Sequence, residues 1–249
     1  MAKQDISQLH TEAVELLKQL IATPSFSKEE NETAEILIHF FAQKGIEHFR
    51  VGNNVYAKNK FYDAAKPSVL LNSHHDTVKP NAKYTRDPFE PVIEDGKLFG
   101  LGSNDAGGCL VSLIATFLYY YDKENLSHNV VFAASAEEEI SGVNGIELVL
   151  PYLGNINFGI VGEPTKMDMA VAERGLMVID CIAQGKAGHA ARKEGINALY
   201  IAMDDINWIR NYKFDKVSPL LGESMLTVTV IGTENQQHNV VPPQCLSLI

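Results

Sequence analysis

Four short stretches place acidic or imidazole side chains directly after an apolar run or inside a glycine turn. SVLLNSHHD supplies His74, His75 and Asp76; GLGSNDAGG supplies Asp105; SAEEE supplies Glu137, Glu138 and Glu139; VGEPT supplies Glu163. Carboxylates and imidazole without thiolate suit a divalent cation such as zinc, cobalt or manganese. A strand sends alternate side chains to one face, so His74 and Asp76 point together and His75 points away. His74 is therefore the ligand candidate, and Asp76 the carboxylate that can orient its second ring nitrogen. Each piece also has a plainer reading: a lone HxD is more often a solvated turn, an acidic triplet an exposed strand end, a Glu-Pro pair a simple turn. Their joint placement outweighs this, because carboxylates converging on one sheet edge repel one another strongly unless cations neutralise them.

The elements that must position these groups are legible from periodicity. Val14, Leu17, Leu20 and Ile21 recur at helical spacing between Thr11 and Ile21, ahead of Pro24. Ser27 to Glu30 reads SKEE, a capping box before a second helix that carries Ala34, Leu37, Phe40 and Phe41 and stops at Gly45. His48 to Val51 and Val55 to Lys58 flank Gly52, Asn53 and Asn54, which predicts a hairpin. Ser68 to Asn72, Asn129 to Ser135 and Phe158 to Val161 are short apolar runs of the buried-strand type. Gly107 to Tyr121 supplies a crossover helix between the first two, so the first part is an α/β layer, whose ligands gather at the carboxyl ends of the strands. Near Glu173 to Gly175 the pattern changes to a strand over 176–182, a helix over 196–209 and a strand over 225–231, with a loop over 213–223. This divides the chain into a metal-binding domain, 1–174, and a smaller α+β domain, 175–249.

Composition narrows the classes further. The chain has 249 residues, 45% of them hydrophobic, enough for a sizeable packed core. Thirty-one acidic against twenty-one basic side chains give a formal charge of -10, which disfavours nucleic acid or an anionic membrane as partner. The apolar runs fall short of the roughly 20 residues that span a bilayer. The opening MAKQDISQLH shows neither a secretory nor a transit signal, so a cytoplasmic location is expected. Cys109, Cys181 and Cys245 are odd in number and share no CxxC spacing, which argues against a disulfide framework or a thiolate metal site.

Taken in order, SHHDTV, GLGSNDAGG, ASAEEEISG, VGEPT, GKAGHA and NVVP make the sequence resemble the cocatalytic zinc aminoacylase and carboxypeptidase family. The resemblance implies a zinc-exopeptidase-like, three-layer α/β/α catalytic domain with an inserted α+β lid that also forms a homodimer. It implies two Zn2+, with Co2+ as a substitute: His74 and Glu163 hold one ion, Glu139 the other, and Asp105 bridges them. Asp76 supports His74, and Glu138 is the general base. His189, in GKAGHA, matches a lid histidine that stabilises the oxyanion in the active site of a second subunit. Arg174, in ERG, and Asn239, in NVVP, match lid positions that contact the substrate, and the bond after Asp105 matches a cis peptide position.

The activity so implied is hydrolysis of the amide of an N-acyl amino acid. Acetylornithine deacetylase, acting on N-acetyl-ornithine or N-acyl-citrulline in arginine biosynthesis, is put first. A succinyl-diaminopimelate desuccinylase or metallodipeptidase is the alternative, and a non-catalytic binding and dimerisation module is the reading from another class. Family members are longer, so a late histidine ligand for the second ion is expected beyond Ile249. None of His10, His39, His48, His128 or His238 stands in its context. Locally, Ala106 replaces a larger apolar residue, Arg192 a frequent proline, and Glu137 a commoner aspartate.

Overall fold

The computed structural model describes residues Asp5 to Ile249. The chain divides into two compact units, Met1–Met167 and Asp168–Ile249. The boundary expected at 174 and 175 falls inside a stretch, 168–179, that carries no helix or strand.

In the first unit, helices α1 (Ile6–Ile21) and α2 (Asn31–Gln43) precede the hairpin of β1 (His48–Val51) and β2 (Asn54–Lys58). Next come β3 (Ser68–His74), a small hairpin of β4 (Val92–Glu94) and β5 (Lys97–Phe99), α3 (Cys109–Tyr121), β6 (Asn129–Ser135), α4 (Ile146–Leu153) and β7 (Ile156–Val161). Helix α1 starts earlier than its apolar spacing predicts, because the Asp5 carboxylate caps the Ser7 N–H at 3.0 Å. The capping box expected before α2 is not formed. Glu30 stands at the N-cap position but makes no side-chain cap bond there. Its carboxylate and the Ser27 hydroxyl are bonded elsewhere.

Helix α2 ends as expected at Gly45, which has a φ of 66°, and the Ile46 N–H reaches back across it to the Phe41 carbonyl at 3.1 Å. A Cβ on Gly45 would meet nothing within 4 Å, so only its backbone conformation resists replacement. Gly45→Ala is expected to cost about 1 kcal/mol in a denaturant titration. An unchanged midpoint would contradict the left-handed assignment.

The five-stranded sheet has the order β1-β2-β6-β3-β7. Strands β1, β2 and β6 pair antiparallel, and β6, β3 and β7 parallel. Alternation sorts the strand residues into two layers. Val55, Ala57, Leu71, Phe132 and Ala134 pack with α1, α2 and α3, whereas Tyr56, Leu70, Val131 and Ala133 pack with Val149 and Leu153 of α4. This is the expected α/β/α arrangement. Phe41 anchors the larger layer, with ring centroids 5.7 Å from Phe132 and 6.1 Å from Phe117. Each such ring stabilises by roughly 2–3 kcal/mol through burial. His74 lies opposite Ser135 and Asn72 opposite Val161, so the segments following the three parallel strands leave from one edge.

The second unit contains β8 (Asp180–Gln184), β9 (Gly188–His189), α5 (Ala198–Asn211), β10 (Val217–Ser218), β11 (Gly222–Glu223), β12 (Val230–Gly232), β13 (Val240–Val241) and β14 (Gln244–Leu248). A three-stranded antiparallel sheet, β12-β14-β8, packs Ala183 and Cys245 against Ala198 and Ala202 of α5. The strands expected over 176–182 and 225–231 are shorter and shifted, because β14 pairs only with 180–184 and 230–232. The expected loop over 213–223 contains the β10-β11 hairpin. Among the described residues no helix is long and apolar enough to cross a membrane.

Candidate metal centre

His74 closes β3 with 1% of its surface exposed. Its Nδ1 lies 3.0 Å from the Asp76 backbone carbonyl and 3.4 Å from Asp76 Oδ1. The opposite ring nitrogen faces a ring of carboxylates. Nε2 lies 3.2 Å from Asp105 Oδ1, 3.8 Å from Glu138 Oε2 and 3.9 Å from Glu163 Oε1. One ligand atom from each of His74, Asp105 and Glu139 falls within 4.8 Å of the others. The structure thus gathers His74, Asp105, Glu138, Glu139 and Glu163 at one sheet edge. His75 points away, as alternation requires, with Nδ1 2.9 Å from Thr33 Oγ1 and Nε2 donating to the Asn53 carbonyl at 2.9 Å.

Local structure explains how each carboxylate arrives. Asp76 is fully buried and accepts from Ser27 Oγ at 2.7 Å, the Glu138 N–H at 3.0 Å and the Glu139 N–H at 3.2 Å. It therefore ties the segment after β3 to the one after β6, beyond the orienting role its spacing from His74 suggests. The α1–α2 connection runs alongside, with Phe26 bridged to Thr77 and the Thr77 N–H donating to the Ser25 carbonyl at 2.8 Å. Asp105 sits in the tight turn Ser103–Gly108, joined to Ala106 by a cis peptide bond. The Gly107 N–H closes that turn on the Gly102 carbonyl at 2.8 Å, and a Cβ on Gly107 would lie 2.5 Å from that oxygen. Glu163 follows β7, anchored by Ser73 Oγ donating to the Gly162 carbonyl at 2.8 Å.

The electrostatics are those of an anionic cluster around one imidazole. Burial pulls the His74 pKa down, but the hydrogen bond to Asp76 and the charges of Asp76, Glu163 and Glu138 outweigh it and push it up to about 9. Burial raises Glu163, His74 opposes this, and Glu138, Asp105 and Glu139 add to it, giving a value of about 7. Burial and Asp105 also raise Glu139. Burial would raise Asp76 too, yet its bonds to His74, Ser27 and the Glu138 N–H hold it below the ordinary carboxylate value. Carboxylates that discourage one another's ionisation, beside an available ring nitrogen and without thiolate, fit a divalent cation.

A cation held by His74 and Glu163 would displace protons from both. Addition of Zn2+ or Co2+ near pH 6.5 is expected to release protons, and apparent affinity to rise up to about pH 9. Without metal the sign for stability is the reverse. Glu163 is raised from 4.5 to about 7, so its ionisation costs stability as pH rises across that window. The His74 contribution is complete below 6.5 and lost as pH passes about 9. Metal-free Glu163→Gln should accordingly melt above the unsubstituted chain beyond pH 7. Equal melting temperatures there would remove the cost of ionising the half-buried Glu163 from the account.

In the second unit, β9 pairs with β13 so that His189 lies opposite Val240, and the Ala190 N–H donates to the Asn239 carbonyl at 2.9 Å. GKAGHA and NVVP are thereby neighbours. Exposed Arg174 donates through Nε and Nη2 to the Leu221 carbonyl at 3.1 and 2.6 Å. Sequence reasoning missed Ser27, Glu30, Asn53 and Asn54 as supports of the acidic segments. The signal for the first two was present in SKEE but had an ordinary explanation as a helix cap.

Residues 70–236 match the family model described as peptidase family M20/M25/M40. The succinyl-diaminopimelate desuccinylase of Wolbachia pipientis wMel is 27% identical over 247 residues, covering 92% of this chain and 61% of the relative. That of Buchnera aphidicola (strain Tuc7) is 29% identical over 242 residues, covering 92% and 64%. The chain therefore spans a little over three fifths of the length of these relatives. They are desuccinylases, whereas the motifs by themselves put acetylornithine deacetylase first. The aminopeptidase PepT of Bacillus cereus is similar in structure with a TM-score of 0.64 at 19% identity, covering 98% of this chain and 65% of that one. A dinuclear metal-binding M20 peptidase of Bacillus subtilis gives 0.63 at 18%, covering 97% and 64%.

Proposed function

The chain belongs to peptidase family M20/M25/M40, and from that premise we propose that the protein carrying it is a metal-dependent hydrolase of the amide bond in N-acyl amino acids. The observation that carries this reading is the convergence of Asp105, Glu138 and Glu163 on the buried Nε2 of His74, with Glu139 in reach. His74 and Glu163 would hold one ion, Glu139 the other, and Asp105 would serve both; zinc is the ion proposed, cobalt its substitute. Such ions, when bound, make water acidic enough to attack an amide near neutral pH.

The protein's own groups do the rest. Glu138 is half exposed at the open side of the cluster, where a carboxylate can take the attacking water's proton and pass it to the leaving amine. Asp76 holds the His74 ring. In the second unit, His189 would stabilise the oxyanion from another subunit of a homodimer, and Arg174 and Asn239 would bind the substrate, the guanidinium fork suiting a carboxylate. The proposed domains are 1–174 and 175–249, and the proposed location is the cytoplasm.

The desuccinylase relatives favour a succinyl group over an acetyl group. N-succinyl-diaminopimelate is therefore the first substrate to test, followed by N-acetyl-ornithine and a dipeptide. The full-length protein, reconstituted with Zn2+ or Co2+, should bind about two ions per chain and hydrolyse one member of this panel. Failure on every member, with metal bound, would overturn the enzyme reading and leave a binding module.

A further inference from the structure

Glu30 is completely buried although it belongs to no ligand set. Its Oε1 accepts from the Lys28 N–H at 2.6 Å and the Glu137 N–H at 3.1 Å, and its Oε2 from Asn53 Nδ2 at 2.9 Å. A buried carboxylate is costly unless its oxygens are satisfied. Here the donors come from three separate segments: the α1–α2 connection, the β1–β2 turn and the chain after β6.

Glu137 is the pivot of the last of these. It adopts a left-handed conformation, φ 51° and ψ 25°, immediately before Glu138. That conformation is unfavourable for a non-glycine residue, so its neighbours must hold it. The Gly142 N–H donates to the Glu137 carbonyl at 2.8 Å, and Asn144 Nδ2 to its carboxylate at 2.9 Å. Asn54 fixes the preceding residue, accepting the Ala136 N–H at 3.0 Å, and donates to the Asn144 carbonyl at 2.7 Å. Glu30 thus grips the turn on one flank while Asp76 grips the Glu138 and Glu139 N–H groups on the other.

The backbone angles of Glu137 set the directions of both glutamates that follow. Once an ion is bound, Glu139 is held by coordination as well as by its backbone. Glu138 has no such tether; its exposed side chain takes its direction from the backbone that Glu30 and Asp76 hold.

We propose that Glu30 is a positioning residue for Glu138, its buried carboxylate fixing the left-handed Glu137 turn so that the base stays directed at the His74 cluster. This rests on Glu138 being the base, as proposed above. Without Glu30 the Glu137 N–H loses its partner and the turn relaxes, while the ions remain.

The test uses the full-length, metal-loaded protein with Glu30→Ala, Glu30→Gln, Glu138→Gln and the Glu30→Ala/Glu138→Gln pair. Glu30→Ala should lower kcat by about 10- to 100-fold, with KM, metal content and the Co2+ absorption spectrum unchanged. In the Glu138→Gln background it should add nothing, as expected of one residue acting through another. Glu30→Gln keeps an oxygen for the Glu137 N–H and should recover most of the turnover. Loss of metal together with turnover, or additive losses in the pair, would overturn the proposal. Amide hydrogen exchange over residues 137–141 supplies a readout independent of catalysis. Glu30→Ala should accelerate it selectively and Glu30→Gln should not; unchanged exchange refutes the proposal even if the unsubstituted protein hydrolyses none of the amides tested.

Discussion

Replacing Glu138 by glutamine is expected to lower kcat of the full-length protein by about 100- to 10,000-fold, the range that a positioned general base contributes. Metal content should not change. Glutamine has the shape of glutamate and keeps the backbone N–H that donates to Asp76, so the adjoining Glu139, proposed above as a ligand, stays where it is. What disappears is an oxygen able to hold a proton at the open side of the cluster. Single-turnover kinetics with metal analysis on the same sample separate the two effects. If turnover and metal vanish together, Glu138 is a ligand and its role as base is wrong.

The largest loss of stability is expected at Asp76. Its oxygens accept three hydrogen bonds and face His74 Nδ1 in a fully buried position. Asp76→Ala leaves those part-buried donors without their acceptor and also removes the carboxylate that holds the His74 proton. Each donor left without an acceptor costs about 1–3 kcal/mol, and removing the partner of a ligating histidine weakens metal binding by about 10- to 100-fold. Chemical denaturation of the metal-free chain and Co2+ titration of the loaded one measure the two losses separately. Asp76→Asn retains the volume but sets an amide N–H against N–H donors, so it should rescue little. A fully stable Asp76→Asn would mean that shape, not acceptance, matters here.

The layers and the acidic edge were largely legible in the sequence. Strands β3 and β6 show their apolar runs openly because both faces are covered by helices, and the acidic groups interrupt those runs abruptly. The alternation of a strand also separated His74 from His75 correctly. Legibility failed where a residue's partner is distant in the chain. SKEE satisfies a local pattern for helix initiation, yet Ser27 bonds to Asp76 and Glu30 to Glu137, and nothing in a four-residue window distinguishes these uses. In the second unit the strands over 176–182 and 225–231 were misplaced because alternation marks a face, whereas pairing with β14 sets their limits. Asn53 and Asn54 read as turn residues, which they are; that their side chains also brace the acidic segment depends on tertiary contacts.

The bond from Glu137 to Glu30 closes a sequence separation of 107 residues. Contacts of such span form late, since the chain entropy lost in closing the loop must be recovered from structure already made. During synthesis the helix bearing Phe41 and the first hairpin leave the ribosome long before Glu137 and Glu163 do. The mutually repelling carboxylates are brought together by a hydrophobic scaffold to which they add no apolar contact, so ion binding, as proposed above, would complete the site rather than seed the fold. The metal-free chain should then keep its far-UV circular dichroism and unfold cooperatively; an unfolded metal-free chain would contradict this.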